Sequence, residues 1–318
     1  MALDPQCRAM LDVVAENGSP FDDEDPAKAR EMMAATTRPV PDPDERFADV
    51  HDDLLTGPAG DMAYRYYRPN DTPETLAPCI IYYHGGGMVF GTIDSHDPIC
   101  RAIAVAADCV VISIDYRLAP EDKFPSAVDD AWAAYTEIRT HADDFGVDPN
   151  RIAVGGDSAG GNLAAVVSLL AKEKGVPQPR LQWLVFPVTD WADTNNAPTG
   201  GTIERFAEGY LLTRKGIAWI QREYLNSDAD RTDWRASPLQ YEELSGLAPA
   251  LIQTAGFDPL KDEADAYGAR LTEAGVEVEL IDYPGMIHGF MRAIGVVDVA
   301  QLAIDEAAVV FRKAFGSA

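Results

Sequence analysis

The sequence predicts an α/β protein built on a mostly parallel, doubly wound sheet. Two observations carry this. Strand-length apolar runs alternate with helix-length segments along most of the 318 residues, the pattern of parallel strands joined by crossover helices. Several runs, such as PCIIYYHG over 78–85 and CVVISIDYR over 109–117, are almost continuously apolar, as strands buried on both faces require.

The elements follow in order. Residues 1–50 are polar, acidic and Pro-punctuated, with helical patches CRAMLDVVAE and PAKAREMMAAT. MAYRYYRP over 62–69 is a strand, followed by the two apolar runs just quoted. SAVDDAWAAYTEIRTHA has helical spacing. RIAVGGD is a short strand and AGGNLAAVVSLLAKEKG a helix. LQWLVFPVT and PALIQTAGF are strands. PLKDEADAYGARLTEAG is a helix with Pro259 near its first turn and Gly275 at its stop. VEVELIDYPG is the last strand and VVDVAQLAIDEAAVVFRKAFG the closing helix. Residues 190–235 break the alternation with two helical pieces, ERFAEGYLL and KGIAWIQREYL. The expected organisation is a cap made of residues 1–50 and the insertion 190–235, over a catalytic domain made of 51–189 and 236–318. In such sheets ligands bind outside the carboxyl ends of the strands.

Composition excludes several function classes. The net charge is -26, with 34 Asp, 18 Glu and only 7 Lys. Nucleic acid and anionic membrane surfaces are poor partners for that charge. It also fits a surface tuned to high salt. No apolar run approaches the roughly 20 residues of a membrane span. The first residues lack a basic start followed by an apolar stretch, so a cytoplasmic protein is expected. Cys7, Cys79, Cys100 and Cys109 show no C-x-x-C spacing and read as buried free thiols. No metal site and no cofactor are expected.

AVGGDSAGGN, over 153–162, sits between a strand and a helix. A dinucleotide loop needs glycines at offsets 0, 2 and 5. Asp157 or Ser158 occupies the middle position in either register. A P-loop needs Lys after its last glycine, where this chain has Asn162. Gly156-Asp157-Ser158-Ala159-Gly160 instead satisfies G-x-S-x-G, a turn that exposes a nucleophilic serine. Gly156 and Gly160 give clearance for that turn. Asp157 has no role that the spacing assigns.

A serine hydroxyl needs a base, usually histidine. Where a serine sits on such a turn, the acid follows it and the histidine comes last. Of the five histidines only His288 follows Ser158, on a Gly-flanked loop just past a strand. Asp258 closes LIQTAGFD at a strand end and is the expected acid, ahead of Asp190, Asp262, Asp265 and Asp282. A tetrahedral intermediate also needs N–H donors. His84-Gly85-Gly86-Gly87 follows a buried strand and is expected to offer the N–H groups of Gly85 and Gly86, with that of Ala159 as third. His84 reads as a hydrogen-bonding brace for this loop, and Gly87 as part of the same support.

HGGG, DYRLAPE, GDSAGGN, Asp258 and HGF occur in one order and at one set of spacings. In these the chain resembles the hormone-sensitive-lipase-like esterases of the α/β-hydrolase fold, over about residues 78–290. The resemblance implies Ser158 as nucleophile, Asp258 as acid, His288 as base, and Gly85, Gly86 and Ala159 as oxyanion donors. It implies a two-part cap, and a network of Asp115, Arg117 and Glu121 holding the oxyanion loop. It also implies a small short-acyl ester as substrate and a homodimer as assembly. The last strand, apolar at alternate positions, would leave a sheet edge free to pair. Expected pocket walls are Met88, Phe90, Trp191, Phe206, Tyr210 and Phe290. Two positions depart from the family pattern. Met88 stands where an aromatic is common, and Asp122 stands where many relatives have His and is expected to add only surface charge. The rival readings are an amidase or carbamate hydrolase with the same triad, and a non-catalytic ligand-binding module. Related binding modules lack the histidine, which is present here.

Overall fold

The computed structural model describes residues 2–21, 24–38, 40, 44–196 and 198–316. Parts of the 1–50 and 190–235 segments therefore lie outside the described residues. The strands are β1 (Phe47–Gly57), β2 (Gly60–Pro69), β3 (Ala77–Tyr83), β4 (Val110–Ile114), β5 (Val147–Asp157), β6 (Gln182–Val185), β7 (Ala250–Phe257) and β8 (Val278–Ile287). They form one sheet in the order β1-β2-β4-β3-β5-β6-β7-β8. β1 and β2 form an antiparallel hairpin, and β2 pairs antiparallel with β4. From β4 to β8 every neighbouring pair is parallel. β8 is an edge strand.

The helices are α1 (Pro5–Asn17), α2 (Pro26–Thr36), α3 (Ile93–Ala107), α4 (Ser126–Thr140), α5 (Ala159–Glu173), α6 (Thr202–Arg205), α7 (Arg214–Tyr224), α8 (Lys261–Glu273) and α9 (Asp298–Phe315). Every residue of β3 and β4 is buried. Along β3 the side chains alternate between two core layers. Cys79, Ile81 and Tyr83 join residues of α4, α5 and α8, while Ile80 and Tyr82 join residues of α1, α3 and α9. Two covered faces explain the continuous apolar run, because each side of the strand needs its own apolar set.

α3 and β1 have no counterpart among the elements read from sequence. α3 buries His96, Asp97 and Arg101 and carries Pro98 inside, so its apolar period is broken and a helix breaker stands in it. Its start is nonetheless written locally: Thr92 and Ser95 form a reciprocal capping box. β1 is largely exposed, so its apolar alternation is weak. ERFAEGYLL yields only the short α6, while KGIAWIQREYL does form α7.

Ser158 follows β5, Asp258 follows β7, His288 follows β8, and the Gly85–Gly87 loop follows β3. All four therefore stand at the carboxyl edge of the parallel strands. α2 reaches this edge through Arg30, which donates to Val89 O at 2.9 Å. α7 reaches it through Trp219, whose ring stacks on Phe90. α1 docks at the β8 end of this edge and on the start of α9, with Cys7 against Met286 and Gln6 accepting from the Asp298 N–H.

Candidate active site

Ser158 sits between the last residue of β5 and the first of α5, with φ 55° and ψ -114°. A non-glycine residue rarely adopts this conformation, and it is held here by its surroundings. The Ser158 N–H donates to Val185 O at 2.8 Å, and Ser158 O accepts from Asn162 at 3.1 Å. The turn is possible only between small neighbours. A Cβ on Gly160 would lie 1.8 Å from Tyr83 O, and one on Gly156 would lie 2.2 Å from the same oxygen.

The structure brings Ser158, His288 and Asp258 together. His288 Nε2 lies 3.0 Å from Ser158 Oγ, and His288 Nδ1 lies 2.8 Å from Asp258 Oδ2. Asp258 Oδ1 accepts from the Leu260 N–H at 2.8 Å, which fixes the carboxylate plane. An ionised carboxylate only accepts, so Nδ1 carries a proton and the neutral ring leaves Nε2 free to accept from the serine. Phe186 covers the imidazole edge-on at 4.9 Å. Ser158 keeps 8% exposure and His288 4%. Water is thus largely displaced from the reacting atoms, which strengthens each electrostatic contact among them.

The expected donor role of Gly85 is overturned. Its N–H is committed, donating to Asp157 Oδ1 at 2.9 Å. Among the described residues, the N–H groups of Gly86, Gly87 and Ala159 donate to no protein acceptor. Gly86 and Gly87 have φ of 125° and 64°, backbone that glycine alone adopts readily. Sequence reasoning treated Gly87 as support only. The signal that would have corrected this is Asp157, whose carboxylate needs a nearby donor. Ala159 N–H opens α5, where unpaired N–H groups and the helix dipole favour a negative charge.

His84 is held by hydrogen bonds and by ring stacking together. Its ring lies 4.3 Å from that of Tyr116, and Tyr116 Oη donates to His84 O at 2.6 Å. Burial, reinforced by neighbouring His96, pushes the His84 imidazole down to about 3. The ring is therefore neutral, and Nδ1 lies 2.8 Å from Gly85 O.

Asp115, Arg117 and Glu121 do not form one network. Arg117 forks onto Asp130 at 2.8 and 2.9 Å. It also meets Asp122 at 3.3 Å, so Asp122 contributes an ion pair and not merely surface charge. Glu121 pairs with Arg30 of α2, whose guanidinium holds its carboxyl down at about 2. The same guanidinium donates to Val89 O and Ala119 O, so Glu121 does act on the stretch after the oxyanion loop, from the opposite direction. Asp115 bonds neither partner, and burial pushes its carboxyl up.

Four of the six expected pocket walls are packed core. Met88, Phe90, Trp191 and Phe290 are fully or almost fully buried. Phe90 packs on Phe21, Trp191 on Tyr224, and Phe290 between Phe186 and Tyr283. Their size and apolarity suit an interior as well as a pocket, which is why sequence alone did not separate the two. Phe206 and Tyr210 are half-buried and pack on Phe257, the residue before Asp258. Two surface clefts of about 270 and 410 Å³ lie away from Ser158, lined respectively by residues such as Arg139 and Arg180, and His51 and Glu74. Among the described residues no group of three His, Cys, Asp or Glu side chains converges as metal ligands would, and no helix is long and apolar enough to cross a membrane. The four cysteines are buried and free.

The sequence profile of the alpha/beta hydrolase fold matches residues 80–292. The carboxylic ester hydrolase LipN of Mycobacterium tuberculosis is 45% identical over 299 residues, covering 91% of this chain and 77% of LipN. Esterase LipI of the same organism is 39% identical over 98% of this chain and 95% of LipI. The ethyl acetate hydrolase of Pseudomonas putida is 40% identical over 78% of this chain and 77% of that enzyme. Among solved structures, an ester-hydrolase from the Lake Arreo metagenome, complexed with a bipyridine phosphonate derivative, superposes with a TM-score of 0.90. It is 41% identical, with 99% of both chains covered. The hyperthermophilic esterase of Pyrobaculum calidifontis gives a TM-score of 0.90 at 36% identity, covering 98% of this chain and 99% of that one. With the turn at Ser158, the fold and these likenesses in agreement, the chain belongs to the hormone-sensitive-lipase-like esterases of the α/β-hydrolase fold.

Proposed function

We infer that this chain is a carboxylic ester hydrolase that works through an acyl-enzyme on Ser158, with small short-acyl esters as substrates. The observation that carries the reading is His288 bridging Ser158 Oγ at 3.0 Å and Asp258 Oδ2 at 2.8 Å. His288 Nε2 takes the hydroxyl proton as Oγ attacks the ester carbonyl, and the carbonyl π electrons move onto its oxygen. Gly86, Gly87 and Ala159 N–H groups stabilise that oxyanion. His288 then gives its proton to the leaving alkoxide as the C–O bond breaks. Water attacks the acyl-enzyme with the same base, and the acid leaves as Ser158 regains its proton. Asp258 holds the ring in the Nδ1–H form throughout.

The segments 1–50 and 190–235 act as a two-part cap over this edge of the sheet, with Arg30, Trp219 and Ile220 as their contacts to the oxyanion loop. Phe206 and Tyr210 are the wall residues that keep exposed surface beside Asp258. The acidic charge argues against nucleic acid as a partner. A homodimer through the β8 edge is the expected assembly, and a monomer mass in solution would refute it.

The test is a chain-length series of p-nitrophenyl esters with the matching anilides, run on the wild type and on Ser158→Ala. Turnover of acetate to butyrate esters, with a loss of about 10⁴-fold or more in Ser158→Ala, supports the reading. Faster anilide than ester turnover would make the chain an amidase. Ligand binding without turnover would make it a binding module.

A further inference from the structure

Asp157 is the residue of the GDSAGG stretch that the proposed reaction does not use. It is a carboxylate with only 2% exposure. Its Oδ1 accepts from Tyr82 Oη at 2.7 Å and from the Gly85 N–H at 2.9 Å. Its Oδ2 lies 3.3 Å from His96 Nε2. Burial alone would push the carboxyl up. Its interactions with His96, the hydrogen bond from Tyr82 and the nearby charge of Arg292 outweigh burial and hold it below the usual carboxylate range. Asp157 is therefore an anion, and the N–H bonded to it is held about twice as strongly as by a neutral acceptor. The fit is close: a Cβ on Gly85 would lie 2.3 Å from Asp157 Oδ2.

The position of these two residues in the chain matters as much as the bond. Asp157 precedes Ser158, and Gly85 precedes Gly86. One buried hydrogen bond thus ties the strand end carrying the nucleophile to the loop carrying the free N–H groups. His84 and Tyr116 hold that loop at the residue before Gly85. Donors pay no reorganisation cost during reaction only if they are fixed beforehand.

We propose that Asp157 is a positioning residue for ester hydrolysis: through the Gly85 N–H it sets the Gly86 and Gly87 donors relative to Ser158, so the oxyanion site is assembled before substrate arrives. This rests on the serine-hydrolase reading above. Asp157 touches no reacting atom and acts through Gly85.

The experiment measures kcat and KM for p-nitrophenyl acetate with active sites counted by titration, together with the affinity for a trifluoromethyl ketone. That ketone forms a tetrahedral adduct needing the same donors. Asp157→Ala lowers kcat about 10- to 100-fold and leaves KM within about twofold, because ground-state binding does not depend on the donors. Ketone affinity falls by the same factor as kcat/KM. Asp157→Asn, whose amide oxygen still accepts from Gly85, recovers most of both. Tyr82→Phe removes one donor from Oδ1 and lowers kcat about threefold at unchanged KM. It decides the matter if Asp157→Ala does not fold. The proposal is overturned by an unchanged kcat in folded Asp157→Ala, by a loss carried in KM alone, or by an Asn variant no better than Ala. An unchanged kcat in Tyr82→Phe overturns it where the Ala variant does not fold. An inactive wild type, or an active Ser158→Ala, would instead defeat the hydrolase reading itself.

Discussion

Gly87 of the oxyanion loop lies directly beneath Ile220 of α7: a Cβ on Gly87 would sit 2.5 Å from Ile220 Cδ1 and 2.9 Å from Cγ1. The insertion 190–235 therefore bears on the loop that supplies the N–H donors. Gly87→Ala has two costs, the contact and a side chain at φ 64°. It is expected to lower kcat/KM about 100-fold, since small displacements of donors are costly. Ile220→Ala in the same chain frees the space and recovers part of that loss. Equal kinetics for the single and double variants would show that the contact does not govern the loop.

Arg30 ties α2 to the stretch after the same loop through Val89 O, and to the segment after β4 through Ala119 O and Glu121. The ion pair is largely exposed and contributes little by itself. The two bonds to carbonyls matter more. Arg30→Ala is expected to destabilise the fold by about 1–2 kcal/mol and to reduce turnover. Glu121→Ala alone is expected to change stability by less than about 1 kcal/mol. Denaturant unfolding of both variants checks the ranking.

His84 gives a pH dependence of known sign. Its folded value lies near 3, below the roughly 6.5 of an unfolded histidine. Between those values the unfolded chain binds more protons, so stability is lost as pH falls through this window, by about 1.4 kcal/mol per pH unit at the steepest. His84→Asn should show a shallower decline from pH 6 to pH 4 in denaturant unfolding. Parallel curves for the two proteins would remove His84 as the cause.

The charge of -26 predicts a salt response. Like charges on one surface repel, and ions shorten that repulsion to about 10 Å at 0.1 M and about 3 Å at 1 M. The melting temperature is expected to rise across that range of sodium chloride. A flat or falling series would mean that the acidic surface serves solubility alone.

Much of the fold was legible because burial on two faces leaves continuous apolar runs, as in β3 and β4, and because Pro259 and Gly275 mark helix limits directly. α3 was not, because its buried His96 and Asp97 answer polar partners from distant strands, and Arg101 pairs with Asp97 and with Asp44. Arg65 and Tyr67 of β2 bond Asp97. Such partners are invisible to local periodicity. At the site, chain order together with strand-end position picks out Ser158, Asp258 and His288, which the structure places within hydrogen-bond distance of one another through His288. The donor role given to Gly85 failed for one reason. Which N–H of three consecutive glycines is free depends on Asp157, 72 residues away in the chain. Of the six expected walls, Met88, Phe90, Trp191 and Phe290 lie in the core, because a large apolar side chain beside a motif packs inward as readily as toward a substrate. The ion pairs of Asp122 with Arg117 and of Glu121 with Arg30 are set by the fold and leave no local signal.

The most direct test of the central claim is covalent labelling by a fluorophosphonate, followed by intact-mass measurement and peptide mapping. A single adduct per chain on Ser158, formed together with loss of ester hydrolysis and absent from Ser158→Ala and greatly slowed in His288→Ala, is the predicted result. An adduct on another residue, or ester hydrolysis that persists after Ser158 is fully labelled, would contradict it.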